Sequence, residues 1–381
     1  MDELWGRCNF FAGKTFHLFH FIDQQTNISF GERADDDTVL AGIFIDGLVE
    51  TLAHIGDRDH GTTQINDTFD KGRCLWDRRQ LLRPDDLLNL QDIHGIEFSP
   101  HPEAGELNLN VYPWEKDEEE LSDEISRYVC ASARIEKDNV VLGAGVDGVL
   151  DTLARIFIAN GDEALIPIPT FSLYESLVKI AGGVPRYVKR KSGEDFSIPV
   201  KDLISLCNEK TKLIFISSPN NPTGNCIPED EIREIIESVD SMAMVVIDEA
   251  YAEFADSSLV NLVTKYENVA VMRTFSKAFG LAGLRVGYGI IPEWLTSPYK
   301  KVAIPFSVNS IAIKAAIAAL RDQAYLRKTV EMVKHERAFI TENLRRVFKK
   351  VYPSEANFVL ADVSPAKSAV VYAELMKGGI I

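Results

Sequence analysis

The run RTFSKAFGLAGLRVG (273–287) holds a lysine in a setting of small and apolar residues. An amine in such a setting gives up its charge readily, which a lysine must do before it can condense with an aldehyde. In the same run Thr274, Ser276 and Arg285 carry the donors that a phosphate group requires. Upstream, the apolar run MAMVVI ends on Asp248 of DEAY (248–251). A carboxylate at the tip of an apolar strand needs a cationic partner or several donors. SPNNPTG (218–224) sets two asparagines beside proline and glycine, and GAGVDG (143–148) opens a helical pattern with glycines. Free N–H groups at such a helix start attract anions. Each feature has a plain reading: a structural lysine, a helix cap, a tight turn, a strand-to-helix turn. Together they meet the needs of pyridoxal 5'-phosphate. Its aldehyde takes the lysine, its ring nitrogen the aspartate, its ring oxygen the donors, and its phosphate the arginine and the helix start.

The elements that must position these groups follow a regular rhythm from about residue 110. A charged helical pattern, KDEEELSDEISRYV, precedes NVVLG and the helical VDGVLDTLARIFIA. EALIPIP, VPRYVKR, KLIFIS, MAMVVI, NVAVM and VGYGII are short apolar runs separated by polar loops and by helical YESLVKIAG and EDEIREIIESV. Continuously apolar strands alternating with helices predict a parallel sheet covered on both faces. Ligands of such sheets bind beyond the carboxyl ends of the strands, where the residues above lie. After residue 300 the pattern is helical through VF, followed by strand-like NFVLADV, helical AVVYAELMKG and a final GII.

Composition bounds the function classes. The 381 residues carry 41 Lys+Arg against 57 Asp+Glu, a net charge of -16. That balance argues against binding to nucleic-acid phosphates or to an anionic membrane. No apolar run reaches the length of a membrane span, and MDELWGRCNFFAGK does not read as a signal peptide. Five scattered cysteines without a C-x-x-C read as reduced thiols in a cytoplasmic protein. Residues 1–94 differ from the rest: 17 acidic and 9 basic residues give them half of the net charge. The sequence therefore divides into an unassigned acidic region (1–94), a large cofactor-binding α/β domain (95–300) and a partial small domain (301–381). Within the first region ADDDTVLAGIFIDGLVETLAHIG (34–56) predicts an amphipathic helix, and NISF and TTQI short strands. His17 with His20, and His54, Asp57, Asp59 and His60, are the places where a metal is conceivable; a solvated acidic segment is the simpler reading, and no metal is assigned.

SSPNNPTG, VVIDEAYAEFAD, RTFSKAFGLAGLRVGYG and VYPSEANFVL resemble the histidinol-phosphate aminotransferases, a branch of the class I/II, fold type I aminotransferases. The likeness runs from about residue 108 to 381. It implies a mostly parallel α/β sheet sandwiched by helices, with a smaller α/β domain, and pyridoxal 5'-phosphate as cofactor. It makes Lys277 the residue that bonds the cofactor and moves the substrate proton, and Asp248 the partner of the ring nitrogen. Asn221 and Tyr251 match the groups bonding the ring oxygen. Phe171 sits where the family stacks an aromatic on the ring, with core packing as its other reading. Val146 and Asp147 offer backbone N–H groups to the phosphate, helped by Thr274, Ser276 and Arg285. Tyr112 resembles a tyrosine that reaches the phosphate of the neighbouring subunit, implying a homodimer with shared active sites. The implied reaction is ping-pong transfer of an amino group between glutamate and imidazole-acetol phosphate, within histidine biosynthesis.

Two departures stand beside the resemblance. The family's N-terminal Asn-Glu-Asn-Pro type motif is not found, and the sequence stops at Ile381, before the arginine that binds the substrate carboxylate or phosphate. A curtailed small domain is the expectation. A related aromatic aminotransferase, a decarboxylase of a phosphorylated amino acid, or a truncated non-catalytic homologue are the alternatives.

Overall fold

The apolar runs after residue 139 pair edge to edge, because unpaired N–H and C=O groups cannot be left inside a core. The computed structural model describes residues 40–44, 111–130, 135–191, 195–239 and 243–377. In chain order these form β1 (Leu40–Phe44), α1 (Glu115–Val129), β2 (Val140–Ala144), α2 (Gly145–Phe157), β3 (Glu163–Ile168), α3 (Leu173–Ile180) and β4 (Val184–Lys189). There follow α4 (Val200–Leu206), β5 (Thr211–Ser217), α5 (Glu229–Ser238), β6 (Met244–Asp248), β7 (Val269–Thr274) and β8 (Val286–Ile290). The last are α6 (Glu293–Val302), α7 (Ser310–Arg321), α8 (Gln323–Leu344), β9 (Lys350–Val351), β10 (Phe358–Asp362) and α9 (Ser368–Lys377).

Seven strands make one sheet in the order β2-β8-β7-β6-β5-β3-β4. Strands β4, β3, β5, β6 and β7 run parallel, as the sequence pattern predicts. Strand β8 departs from it and lies antiparallel to both β7 and β2. No α-helix separates β7 from β8, only the 3₁₀ turn Ala282–Leu284, so the chain turns straight back along its neighbour. Both faces of the sheet are buried. Val245, Ile247, Val269 and Val271 pack with α1 and α7 on one side. Phe215, Val246 and Met272 pack with α2 and α3 on the other.

Helix α1 buries Leu121, Ile125 and Val129, four residues apart and hence on one stripe. It is held to α7 by Lys314 on Asp117 (2.8 Å) and Arg321 on Glu124 (2.6 Å). The helical stretch after residue 309 breaks at Asp322. Its carboxylate accepts from the Tyr325 N–H at 3.0 Å and so starts α8 where α7 ends.

A second, antiparallel sheet has the order β1-β10-β9. Its β1 corrects the helix expected over 34–56: Leu40–Phe44 is a strand, with Leu40 opposite Asp362 and Phe44 opposite Phe358. Its backbone partners lie more than 300 positions away, and local periodicity carries no trace of so distant a pairing. The expected strands NISF and TTQI and the histidine-rich positions 17, 20, 54 and 60 lie outside the described residues. Among the described residues no group of His, Cys, Asp and Glu could hold a metal, and no helix is long and apolar enough to cross a membrane.

Candidate active site

Asp248 is the last residue of β6 and is 5% exposed. Its carboxylate accepts the Tyr174 hydroxyl at 2.6 Å and the Ala250 N–H at 3.0 Å. Burial is the main cause that pushes its pKa up, to about 6, against the pull of those two bonds. Among the described residues no Lys or Arg pairs with it. A buried carboxylate with no such partner among the described residues is suited to receive a cationic group of a ligand.

One strand over, β7 ends at the buried Thr274 and the chain turns through Ser276 and Lys277. The Ser276 N–H donates to Thr274 Oγ1 at 3.1 Å, and the Gly280 and Leu281 N–H groups close the turn on the Lys277 and Phe275 carbonyls. Phe275, Ala278 and Phe279 are buried around this turn, so the lysine leaves the backbone from a packed base. Lys277 Nζ lies 5.6 Å from the centre of the Tyr251 ring. The Tyr251 hydroxyl in turn accepts from Asn221 Nδ2 at 3.4 Å.

The two asparagines of SPNNPTG have separate tasks. Asn220 is fully buried and ties the loop together through Thr170, Thr223 and the Pro169 carbonyl. Asn221 alone reaches Tyr251.

Helix α2 begins directly at the end of β2, and its N-cap Ala144 offers no side-chain acceptor to the first turn. The opening N–H groups of a helix are unsatisfied within the helix, and the Gly145 N–H is used by the Arg285 carbonyl (3.1 Å). Arg285 has φ of 53°, in the left-handed region, which turns its side chain over this helix start. Its Nη2 donates to Asp147 Oδ2 at 2.9 Å. A Cβ on Gly145 would meet Arg285 Nη2 at 2.5 Å, and one on Gly287 would meet the Val146 nitrogen at 2.3 Å. At Gly287 the obstacle is backbone, and at Gly145 the φ of 71° itself favours glycine.

The structure thus gathers Asp248, Tyr251, Asn221, Thr274, Ser276 and Lys277 at adjoining strand ends, with Val146, Asp147 and Arg285 at the neighbouring helix start. Phe171 is half-buried, with its ring edge-on to Tyr174 at 5.7 Å. Tyr112 is exposed and stacks on Phe306 at 4.5 Å. Sequence reasoning missed Tyr174. The only signal was its place three residues after Phe171, on the same face of a coming helix. We expect Tyr174→Phe to lower kcat about tenfold at nearly constant KM, since it removes one hydrogen bond to a buried charge. Steady-state rates measure this.

A sequence model of the class I and II aminotransferases matches residues 106–380. The histidinol-phosphate aminotransferase of Methanosarcina mazei is 45% identical over 307 residues, 79% of this chain and 80% of the relative. Histidinol-phosphate aminotransferase 1 of Archaeoglobus fulgidus is 42% identical, covering 74% of this chain and 85% of the relative. The chain belongs to the class I and II aminotransferases, in their histidinol-phosphate branch. Among solved structures, the Clostridium acetobutylicum histidinol-phosphate aminotransferase is 27% identical with a TM-score of 0.65, over 72% of this chain and 80% of that one. The Sinorhizobium meliloti enzyme in complex with pyridoxal-5'-phosphate is 25% identical, also with a TM-score of 0.65, over 72% and 74%.

The cofactor of this aminotransferase is pyridoxal 5'-phosphate. The residues present fit it. The carboxylate of Asp248, with no Lys or Arg partner among the described residues, suits a protonated ring nitrogen, and the start of α2 beside Arg285, with no side-chain cap from Ala144, suits a phosphate dianion. Gly287→Ala tests the cradle. Its methyl must displace backbone rather than a flexible side chain, so we expect a loss of about 2 kcal/mol of stability and at least tenfold weaker cofactor binding. Thermal melting and cofactor titration measure the two effects.

Proposed function

We propose that the chain is a histidinol-phosphate aminotransferase, converting L-histidinol phosphate and 2-oxoglutarate to imidazole-acetol phosphate and L-glutamate. The kinship with the Methanosarcina mazei enzyme over most of both chains carries the choice of substrate. When bound, pyridoxal 5'-phosphate supplies the electron sink that lets a proton leave the α-carbon of an amino acid.

The chain's own groups do the rest. Asp248, buried at the end of β6, holds the proton on the ring nitrogen, and the Tyr174 hydroxyl fixes the carboxylate in place. Asn221 and Tyr251 donate to the ring oxygen. The first turn of α2 at Val146 and Asp147, with Thr274, Ser276 and Arg285, binds the phosphate. Lys277 Nζ would hold the cofactor through its aldehyde, and its amine would be the base that moves the proton from the substrate α-carbon. Phe171 covers one face of the ring and keeps water from it.

We infer the same division of the chain as above, with the proposed site residues within 95–300. The enzyme works as a homodimer in the cytoplasm. Tyr112, Trp114, Ile304 and Phe306 support the dimer: they are large, exposed and apolar, and the Tyr112–Phe306 stack joins their two segments into one surface. Sedimentation at micromolar concentration tests it, and a monomer would overturn it.

The reaction is tested with purified protein carrying its cofactor. Glutamate should bleach the visible band of the lysine-bound cofactor. Imidazole-acetol phosphate should restore it with a kcat/KM about 10²-fold or more above that of phenylpyruvate. Equal rates would point to an aromatic aminotransferase, and release of CO₂ to a decarboxylase.

A further inference from the structure

Side chains along a strand alternate between faces, so the residues next to the site point to the opposite side of the sheet. Glu249 follows Asp248, and Arg273 precedes Thr274. The Glu249 N–H donates to the Met272 carbonyl at 2.8 Å, so the two strand ends are adjacent. On the α1 side of the sheet Arg273 Nε and Nη2 both reach Glu249 Oε2, at 3.1 and 2.8 Å. Nη2 also meets Ser258 Oγ at 2.8 Å, and Nη1 meets Glu253 Oε1 at 3.3 Å. The Leu259 N–H donates to Glu249 Oε1 at 2.5 Å, and the Tyr128 hydroxyl faces Glu253 at 3.5 Å. These side chains are deeply buried: Arg273 is 8% exposed, Glu249 2% and Glu253 3%.

A buried ion pair is a weak source of stability, because desolvating the charges offsets most of their attraction. It does fix geometry, since a planar guanidinium bonds several partners only in one arrangement. We propose that Arg273 is a positioning residue for the reaction. Through Glu249, Ser258 and Glu253 it sets the spacing between the strand end that carries Asp248 and the turn that carries Lys277. The inference rests on the assignment of those two residues to the cofactor, but not on which amino acid is the substrate.

Arg273→Lys keeps the charge and loses the fork, and Glu249→Gln keeps the shape and loses the charge. Three readouts are compared with the parent protein. In the cofactor-free protein, amide exchange at residues 274–281 and 249–252 should quicken about tenfold in both variants, while α4 and α5 stay unchanged. With cofactor bound, the pH at which its visible band changes should move by about one unit. The kcat should fall about tenfold or more with KM within about threefold. Substitution that lowers the melting temperature while exchange in the two segments, band titration and kcat stay at parental values would overturn the proposal. If Arg273→Lys does not fold, Glu249→Gln decides alone by the same three readouts. Absence of glutamate turnover in the parent would refute the aminotransferase reading, and exchange and band titration would still decide this one.

Discussion

Lys277→Ala is expected to reduce transamination by about 10⁴-fold or more, equivalent to about 5.5 kcal/mol of transition-state stabilisation. The loss combines two roles of one nitrogen, bonding the cofactor aldehyde and carrying the α-proton. The turn that presents the lysine is packed by Phe275, Ala278 and Phe279, which the substitution leaves in place. Melting temperature should therefore change by only a few degrees. The phosphate cradle at α2 and Arg285 is also untouched, so cofactor should still bind, without the visible band of the lysine-bound form. Added alkylamines should restore part of the rate. A variant that retained the band would show that another amine holds the cofactor.

Asp248→Asn is expected to lower kcat by about 10²- to 10³-fold, by removing the charge that keeps the ring nitrogen protonated. Its effect on stability has the opposite sign. In the cofactor-free protein burial raises the pKa of Asp248 from 3.8 to about 6, so folding favours its neutral form. The contribution of this group is fully present below about pH 4 and is lost as pH rises through about 6. The shift corresponds to about 3 kcal/mol. An asparagine keeps the bond from Tyr174 and matches the Ala250 N–H less well, so about 1–2 kcal/mol of gain should remain at pH 8. Cofactor-free Asp248→Asn should thus melt above the parent at pH 8 and level with it or below at pH 4. Cofactor should stabilise the parent more than the variant at pH 8, since a protonated ring nitrogen supplies the missing cation. Melting curves at the two pH values, with and without cofactor, test all three statements. A variant less stable than the parent at pH 8 without cofactor would refute the account of Asp248 as an uncompensated buried anion.

The histidinol-phosphate family was legible in the sequence because its signals are local. Asp248 ends a short apolar run and Asn221 and Lys277 follow one, and strands of that kind deliver their last and next residues to one edge of a sheet, while Arg285 reaches that edge at the start of the antiparallel β8. Most strands from residue 140 to 290 were readable for the same reason, since burial on both faces writes itself into consecutive residues, whereas α4, α6 and the break at Asp322 were not read.

Other features depend on partners distant in the chain. Tyr174 bonds a carboxylate 74 positions away, and only the packing of α3 on the sheet, with its ring stacked on Phe215 of β5, brings them together. Arg273 and Glu249 are 24 positions apart and look like two ordinary charges until adjacent strand ends bury them side by side. The reversal of β8 turns on the lack of an α-helical crossover before it. The strand at 40–44 was misread as helix because its hydrogen bonds go to β10. By itself the sequence determined the family, the cofactor and the strand ends at which a site is expected, since residue type and strand period are local properties. The tertiary structure alone decided that burial raises the Asp248 pKa, that Tyr174 bonds its carboxylate and what braces the two strand ends. Desolvation and hydrogen-bond geometry exist only once distant segments are packed together.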